Sequence, residues 1–158
     1  MQMAASAFFR IVARARPAPT ALVSAAGRFN SMESPPTCYV ADDLATAWAE
    51  VAWPLGSDLA DPGGFKAFRV ETDNARLLDL TDQDQANLYL VDPVPLAARA
   101  FADELRRSSD YDGIRYPSMR RPNHHCVVLF LEKLGDRLTA QPLERGSIER
   151  VASNRRAK

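Results

Sequence analysis

The side chains able to do chemistry in this chain are few and scattered. His124-His125-Cys126 stand in a row. Adjacent ligands lack the i, i+4 or C-x-x-C spacing of a zinc site, and on a strand the two imidazoles would point to opposite faces. They read as a solvated pair, and no metal is expected. No G-x-S-x-G, Walker A or G-x-G-x-x-G pattern occurs, so the hydrolase-elbow, phosphate-loop and Rossmann fingerprints are absent. The informative set is Arg28 beside Gly27, Tyr39, Glu50, and Ser118 after Tyr116-Pro117. As types they offer a bidentate anion clamp, a stacking face, a fixed negative charge and a hydrogen-bonding hydroxyl. Singly, each also has an ordinary structural role: surface Arg, packed Tyr, solvated Glu, turn Ser.

Positioning these side chains falls to elements legible in the hydrophobic pattern. Thr37 to Ala41 has strand character and carries Tyr39. Asp42 or Asp43 caps the helix that follows, in which Leu44, Ala47, Trp48 and Val51 recur at helical spacing until Pro54 ends it. Glu50 lies roughly 60° from Ala47 around the axis at about 100° per residue. It therefore sits at the edge of the buried stripe, able to reach a cleft while its helix stays packed. Phe65 to Glu71 reads as a strand, and a short helical turn is expected within Asp79–Asp84. Pro95 opens a helix to about Arg107 with Leu96, Ala97, Ala100, Phe101 and Leu105 on one side. Gly113 to Tyr116 is extended into Pro117, and Cys126 to Leu131 is a continuous apolar run, hence a buried central strand.

At the front, Phe8-Phe9-Arg10-Ile11-Val12 reads as a first strand. The acid-free, Arg-containing opening also has the composition of a mitochondrial transit peptide, a reading weakened by Pro17 and Pro19, which would break its helix. The fold class is α+β (mixed α/β) in one compact domain, with residues 1–7 as a flexible N-terminus, 8–146 as the folded body and 147–158 as a polar, basic, frayed tail.

Composition narrows the function. Of 158 residues 46% are hydrophobic and 25% charged, the profile of a soluble globular domain, with no apolar run long enough to span a membrane. Two cysteines cannot build a disulfide framework, which favours a reducing, cytoplasmic setting. Twenty Lys+Arg balance twenty Asp+Glu, predicting neither a nucleic-acid nor a membrane-surface binder. That zero conceals segments of +4 (residues 1–32), −9 (33–98) and +5 (99–158), and the field a ligand meets is local.

Several stretches in order resemble the RES domain, the toxin of RES–Xre toxin–antitoxin modules. They are Phe9-Arg10-Ile11, Gly27-Arg28-Phe29-Asn30, Thr37-Cys38-Tyr39-Val40-Ala41, the helix Leu44 to Val51, and Asp112-Gly113-Ile114-Arg115-Tyr116-Pro117-Ser118. Arg120-Arg121-Pro122 and the strand Cys126 to Phe130 continue the pattern, which runs from about residue 8 to residue 138. Ala26 departs from it, standing where the family often has a second Gly before the Arg.

The resemblance implies a fold similar to ADP-ribosyltransferase toxins and a cleft for NAD, which is the substrate rather than a resident cofactor. It implies Arg28, Glu50 and Ser118 as catalytic residues and Arg28, Tyr39, Arg10 and Ser118 as binding residues. The implied activity is cleavage of the nicotinamide–ribose bond by water or phosphate, depleting NAD. The alternatives are ADP-ribosyl transfer to a protein and a catalytically silent module that binds a partner. An Xre-like antitoxin is the implied partner, with no direct nucleic-acid or membrane contact.

Overall fold

The computed structural model describes residues 2–56, 59–80 and 95–156. In chain order these form β1 (Gln2–Ala13), β2 (Thr37–Ala41), α1 (Leu44–Ala52), β3 (Phe65–Asp79), α2 (Leu96–Ser108), β4 (Gly113–Pro117) and β5 (His125–Phe130). A single helical turn α3 (Leu131–Leu134), β6 (Leu138–Pro142) and α4 (Ser147–Arg156) complete the mixed α/β domain. Most of the helical turn expected within Asp79–Asp84 falls outside the described residues.

The apolar run of β5 becomes the central strand, buried from Cys126 to Phe130 and antiparallel to both β2 and β4. Sheet order is β1-β2-β5-β4-β3-β6, and β1 also pairs with β3 along its whole length, from Gln2↔Arg76 to Ala13↔Phe65. The ladder thus closes on itself, which removes most free sheet edges. The closure is loosest between β1 and β2, whose register is the single pair Phe9↔Ala41. Gly113 permits the tightest contact: a Cβ there would lie 2.3 Å from the carbonyl oxygen of Val128, so no other residue fits without parting β4 from β5. In β3 the buried side switches from Val70 and Thr72 to Ala75 and Leu77 across Asn74, whose φ of 55° is the left-handed conformation asparagine tolerates best among non-glycine residues. The strand then runs on to pair parallel with β4.

α1 forms as its pattern dictates. Asp43 caps it by accepting from the Thr46 amide at 2.7 Å, and Trp48, buried in the core, meets Phe65 edge-on at 5.6 Å. Burying a large apolar side chain of this kind contributes about 1.5–3 kcal/mol.

Three expectations are corrected. Residues from Gln2 onward are not a flexible lead but part of β1, because β3 supplies hydrogen-bonding partners as far as Arg76. The polar stretch from Ser147 is not a frayed tail but helix α4, which tucks Ile148 and Ala152 into the core shared with α1. Two apolar residues at i, i+4 are enough when the opposing surface is already apolar. Finally, α2 turns Ala98, Ala102 and Arg106 inward and leaves Leu96 exposed.

Arg106 is the reason that face wins. Its guanidinium donates to both Glu132 carboxylate oxygens, to Thr37 Oγ1 at 2.8 Å and to the carbonyls of Pro35 and Pro36. It also lies over the Phe130 ring at 4.5 Å. A buried charge persists only with partners of this kind. No helix among the described residues is long and apolar enough to cross a membrane.

Candidate active site

Between β1 and β2, where their pairing is sparsest, lies a cleft of about 330 Å³. Phe9, Arg10 and Ile11 line it from β1, Tyr39 to Ala41 from β2, residues 25–28 from the loop before β2, and Ala47, Glu50 and Val51 from α1, with Tyr116 and Cys126 completing it from β4 and β5. The volume falls within the range of small-molecule sites.

Glu50 reaches the cleft from the edge of α1, as its helical position predicts. Its Oε1 accepts from Ser118 Oγ at 2.7 Å and faces Cys126 Sγ at 3.7 Å, while Oε2 has no bond among the described residues. Ser118 does not line the cleft. It is buried behind the carboxylate, and its Oγ accepts from the Arg120 and Arg121 amides at 3.2 and 3.1 Å. Two amides pointing at the oxygen leave its one proton for Glu50, so the Ser118 hydroxyl orients the acid. Burial, then the negative charge of Glu50, pushes the Cys126 thiol well above its ordinary value. It stays an S–H group pointed at the carboxylate.

The loop carrying Arg28 is pinned from three sides. The Gly27 amide donates to Asn30 Oδ1 at 2.8 Å and to the Asn30 carbonyl at 3.1 Å. Tyr39 Oη donates to Asn30 Oδ1 at 2.7 Å and accepts from the Phe29 amide at 2.8 Å. Arg99 Nε donates to the Gly27 carbonyl at 2.9 Å. The Tyr39 ring lies so close to Gly27 that a Cβ there would sit 2.9 Å from Cζ and Oη, so glycine is required for space. Ala26 has no positive φ, and the conformational freedom of a second glycine is not needed. Burial pushes the Tyr39 phenol up to about 12, keeping it a donor. Arg28, half-buried, lines the cleft from this loop.

Arg10 stitches β1 to its surroundings: Nε donates to the Ala21 carbonyl at 2.8 Å, and Nη1 to Ser24 Oγ at 2.9 Å and the Tyr39 carbonyl at 3.0 Å. Its burial lowers the guanidinium's affinity for its proton, though an arginine keeps its charge in proteins. Nη2 has no bond among the described residues.

The fold therefore brings Arg10, Arg28, Tyr39 and Glu50 to one cleft and sets Ser118 behind Glu50. Two contributors were not singled out from the sequence, Asn30 and Tyr116. The signal for Tyr116 was available: it precedes Ser118 by two in an extended stretch, which puts both side chains on one side of the strand. His124 and His125 lie elsewhere. Asp42, Asp43 and His124 hold ligand-type atoms within 4.8 Å of one another, but Asp43 already caps α1 and pairs with Arg121 at 2.9 Å. That positive charge opposes a cation there.

A family model for the RES domain matches residues 7–147. The chain belongs to the RES domain family. The RES domain described here is similar in fold to the crystal structure of the M. tuberculosis MbcT–MbcA toxin–antitoxin complex, with a TM-score of 0.70 and 14% identity. The similarity covers 94% of this chain and 90% of that chain. No curated protein matches the chain.

Proposed function

We propose that this RES domain is a toxin that cleaves the nicotinamide–ribose bond of NAD. The observation that carries the reading is that one acid, Glu50, and two arginines, Arg10 and Arg28, line a single cleft. Family membership and the fold shared with a toxin–antitoxin complex support the toxin assignment, and on that ground an Xre-like antitoxin protein is the partner that holds the activity in check.

The donor set suits the substrate. A pyrophosphate or ribose phosphate asks for planar, multidentate cations, which Arg28 supplies and to which Arg10 adds Nη2. The C1′–N bond breaks with its electron pair going to the nicotinamide ring nitrogen. The leaving group departs neutral, and no strong general acid is required. Positive charge develops on the ribose, as in glycoside cleavage, and Glu50 Oε2 opposes that charge or holds a ribose hydroxyl. Ser118 and Cys126, both aimed at Oε1, keep the carboxylate in one rotamer, so it is ordered before the substrate arrives. The Tyr39 ring offers the nicotinamide a stacking face. An acceptor oxygen then bonds to C1′, from water, which releases its proton to solvent, or from phosphate, completing hydrolysis or phosphorolysis.

Purified, antitoxin-free protein incubated with NAD tests the reading by nicotinamide release. Release without phosphate marks hydrolysis, and release that depends on phosphate marks phosphorolysis. ADP-ribose appearing on a protein instead would transfer the assignment to the transferase alternative. Folded wild-type protein that frees no nicotinamide under any of these conditions refutes catalysis. Glu50→Gln keeps an acceptor for Ser118 and removes the charge. It is expected to slow turnover about 10²–10³-fold, the scale of losing one preorganised electrostatic group.

A further inference from the structure

Two tyrosines, Tyr39 and Tyr116, line the cleft and Ser118 stands behind its carboxylate; of these three hydroxyls, two are already committed to the protein. Tyr39 Oη donates to Asn30 and accepts from the Phe29 amide, and Ser118 Oγ donates to Glu50 and accepts from two amides. A hydroxyl has one proton, so neither can donate to a ligand without giving up a bond that orders the site.

Tyr116 differs. It lines the cleft, and its Oη forms no hydrogen bond to any other described residue. The side-chain atoms sealed from solvent without a partner, among the described residues, are Asp42 Oδ1 and Thr72 Oγ1. Tyr116 Oη is not one of them, so it keeps some exposure, and the opening that Tyr116 lines is the cleft. Buried tyrosines ordinarily find a partner for the hydroxyl, and here the place for one is the cleft itself.

The ring is fixed by the fold. Tyr116 pairs with Cys126 across β4 and β5, and its ring meets Phe29 at 5.1 Å, tilted 59°. Burial, then the neighbouring Cys126, Tyr39 and Glu50, hold the phenol well above its ordinary value, so at neutral pH it is a donor. It is the neutral donor that the committed hydroxyls of Tyr39 and Ser118 cannot supply.

We propose that Tyr116 is a substrate-binding residue whose hydroxyl donates a hydrogen bond to an oxygen of the nicotinamide riboside half of NAD, the half that Glu50 faces. No proton is transferred; the bond holds the substrate while C1′–N cleavage proceeds beside it. This inference rests on the NAD-cleaving reading and adds to that site a binding residue beyond Arg10, Arg28, Tyr39, Glu50 and Ser118.

Tyr116→Phe keeps the ring and its contact with Phe29 and deletes only the hydroxyl. The expected result is a rise of roughly 3- to 10-fold in the KM for NAD, the size of one neutral hydrogen bond, with the thermal midpoint unchanged because the hydroxyl holds nothing in the protein. The same factor is expected in the NAD dissociation constant by calorimetry on a Glu50→Gln background, where turnover does not interfere. Ser118→Ala gives the contrasting signature, lowering kcat more than it raises KM, because it acts through Glu50. Wild-type KM and dissociation constant in Tyr116→Phe, with wild-type protein active, overturn the proposal alone. A fall in thermal midpoint with no change in KM also overturns it, showing a structural hydroxyl. Failure of wild-type protein both to bind NAD and to release nicotinamide overturns the NAD reading and this inference with it.

Discussion

Replacing Tyr39 by Phe isolates the part of the site that holds Arg28 in place. The ring remains, so stacking and the fit against Gly27 are untouched, and only the hydroxyl bridge is lost. That bridge consists of a bond accepted from the Phe29 amide at 2.8 Å and one donated to Asn30 Oδ1 at 2.7 Å. Asn30 Oδ1 keeps the Gly27 amide, so its loss is partial. The Phe29 amide has no substitute, since Phe29 is fully buried. A buried donor left unsatisfied costs about 1–3 kcal/mol. Taking about 2 kcal/mol as the centre, a domain of this size is expected to lose roughly 4–8 °C in thermal midpoint. The loop must then be reordered when substrate binds. If half of the loss appears in binding, about 1 kcal/mol, the KM for NAD rises about fivefold. The assay pairs thermal unfolding with initial rates of nicotinamide release over a range of NAD concentrations. A Tyr39→Phe protein with wild-type midpoint and KM would refute the idea that this hydroxyl orders the Arg28 loop. Tyr39→Ala is expected to be worse on both counts, because it also removes the stacking face, a further 0.5–1.5 kcal/mol or so.

Gly27→Ala places a Cβ 2.9 Å from the Tyr39 ring, whose hydroxyl is anchored to Asn30. Overpacking of this kind costs about 1–3 kcal/mol, and an unchanged urea midpoint would show that the loop yields freely. Arg106→Ala leaves Glu132 and the Pro35 and Pro36 carbonyls without their common donor. A destabilisation of about 3 kcal/mol is expected, the low end for breaking a buried pair because Glu132 is partly exposed, and a shift below about 1 kcal/mol by urea titration contradicts the network. The fold is also expected to weaken in alkali. Burial pushes Cys38 up to about 11 and Tyr39 up to about 12, from ordinary values of 9.0 and 10.0, and moves Cys126 and Tyr116 in the same direction. The unfolded chain therefore loses protons that the folded chain keeps, so this stability is fully present below about pH 9 and is lost as pH rises toward 12. Equal urea midpoints at pH 8 and pH 10.5 would contradict it.

Much of the molecule could be read in short windows. The capped helix Leu44–Ala52, the strand Thr37–Ala41 and the buried strand ending at Phe130 each announce themselves by period and composition, because alternation and the 3.6-residue repeat are local properties. β6 and α4 did not, since Leu138–Pro142 needs β3 beside it to be a strand and Ser147–Arg156 is polar apart from the few residues α1 and its neighbours cover. Arg106 defied the apolar stripe for the same reason: its partners Thr37 and Glu132 lie 69 and 26 residues away.

The sequence alone determined the residue types on hand, with Arg10, Arg28, Tyr39 and Glu50 each on the element that carries it, and the unlike charge of the segments hidden in a net zero. Only the tertiary structure decided what each group is free to do. Ser118, 68 residues from Glu50 in the chain, becomes the group that orients the acid, Tyr39 becomes a brace for the Arg28 loop, and Tyr116 is left with the open hydroxyl. The reason is that a hydroxyl has one proton to give, and which neighbour takes it depends on contacts between distant segments that no local pattern encodes.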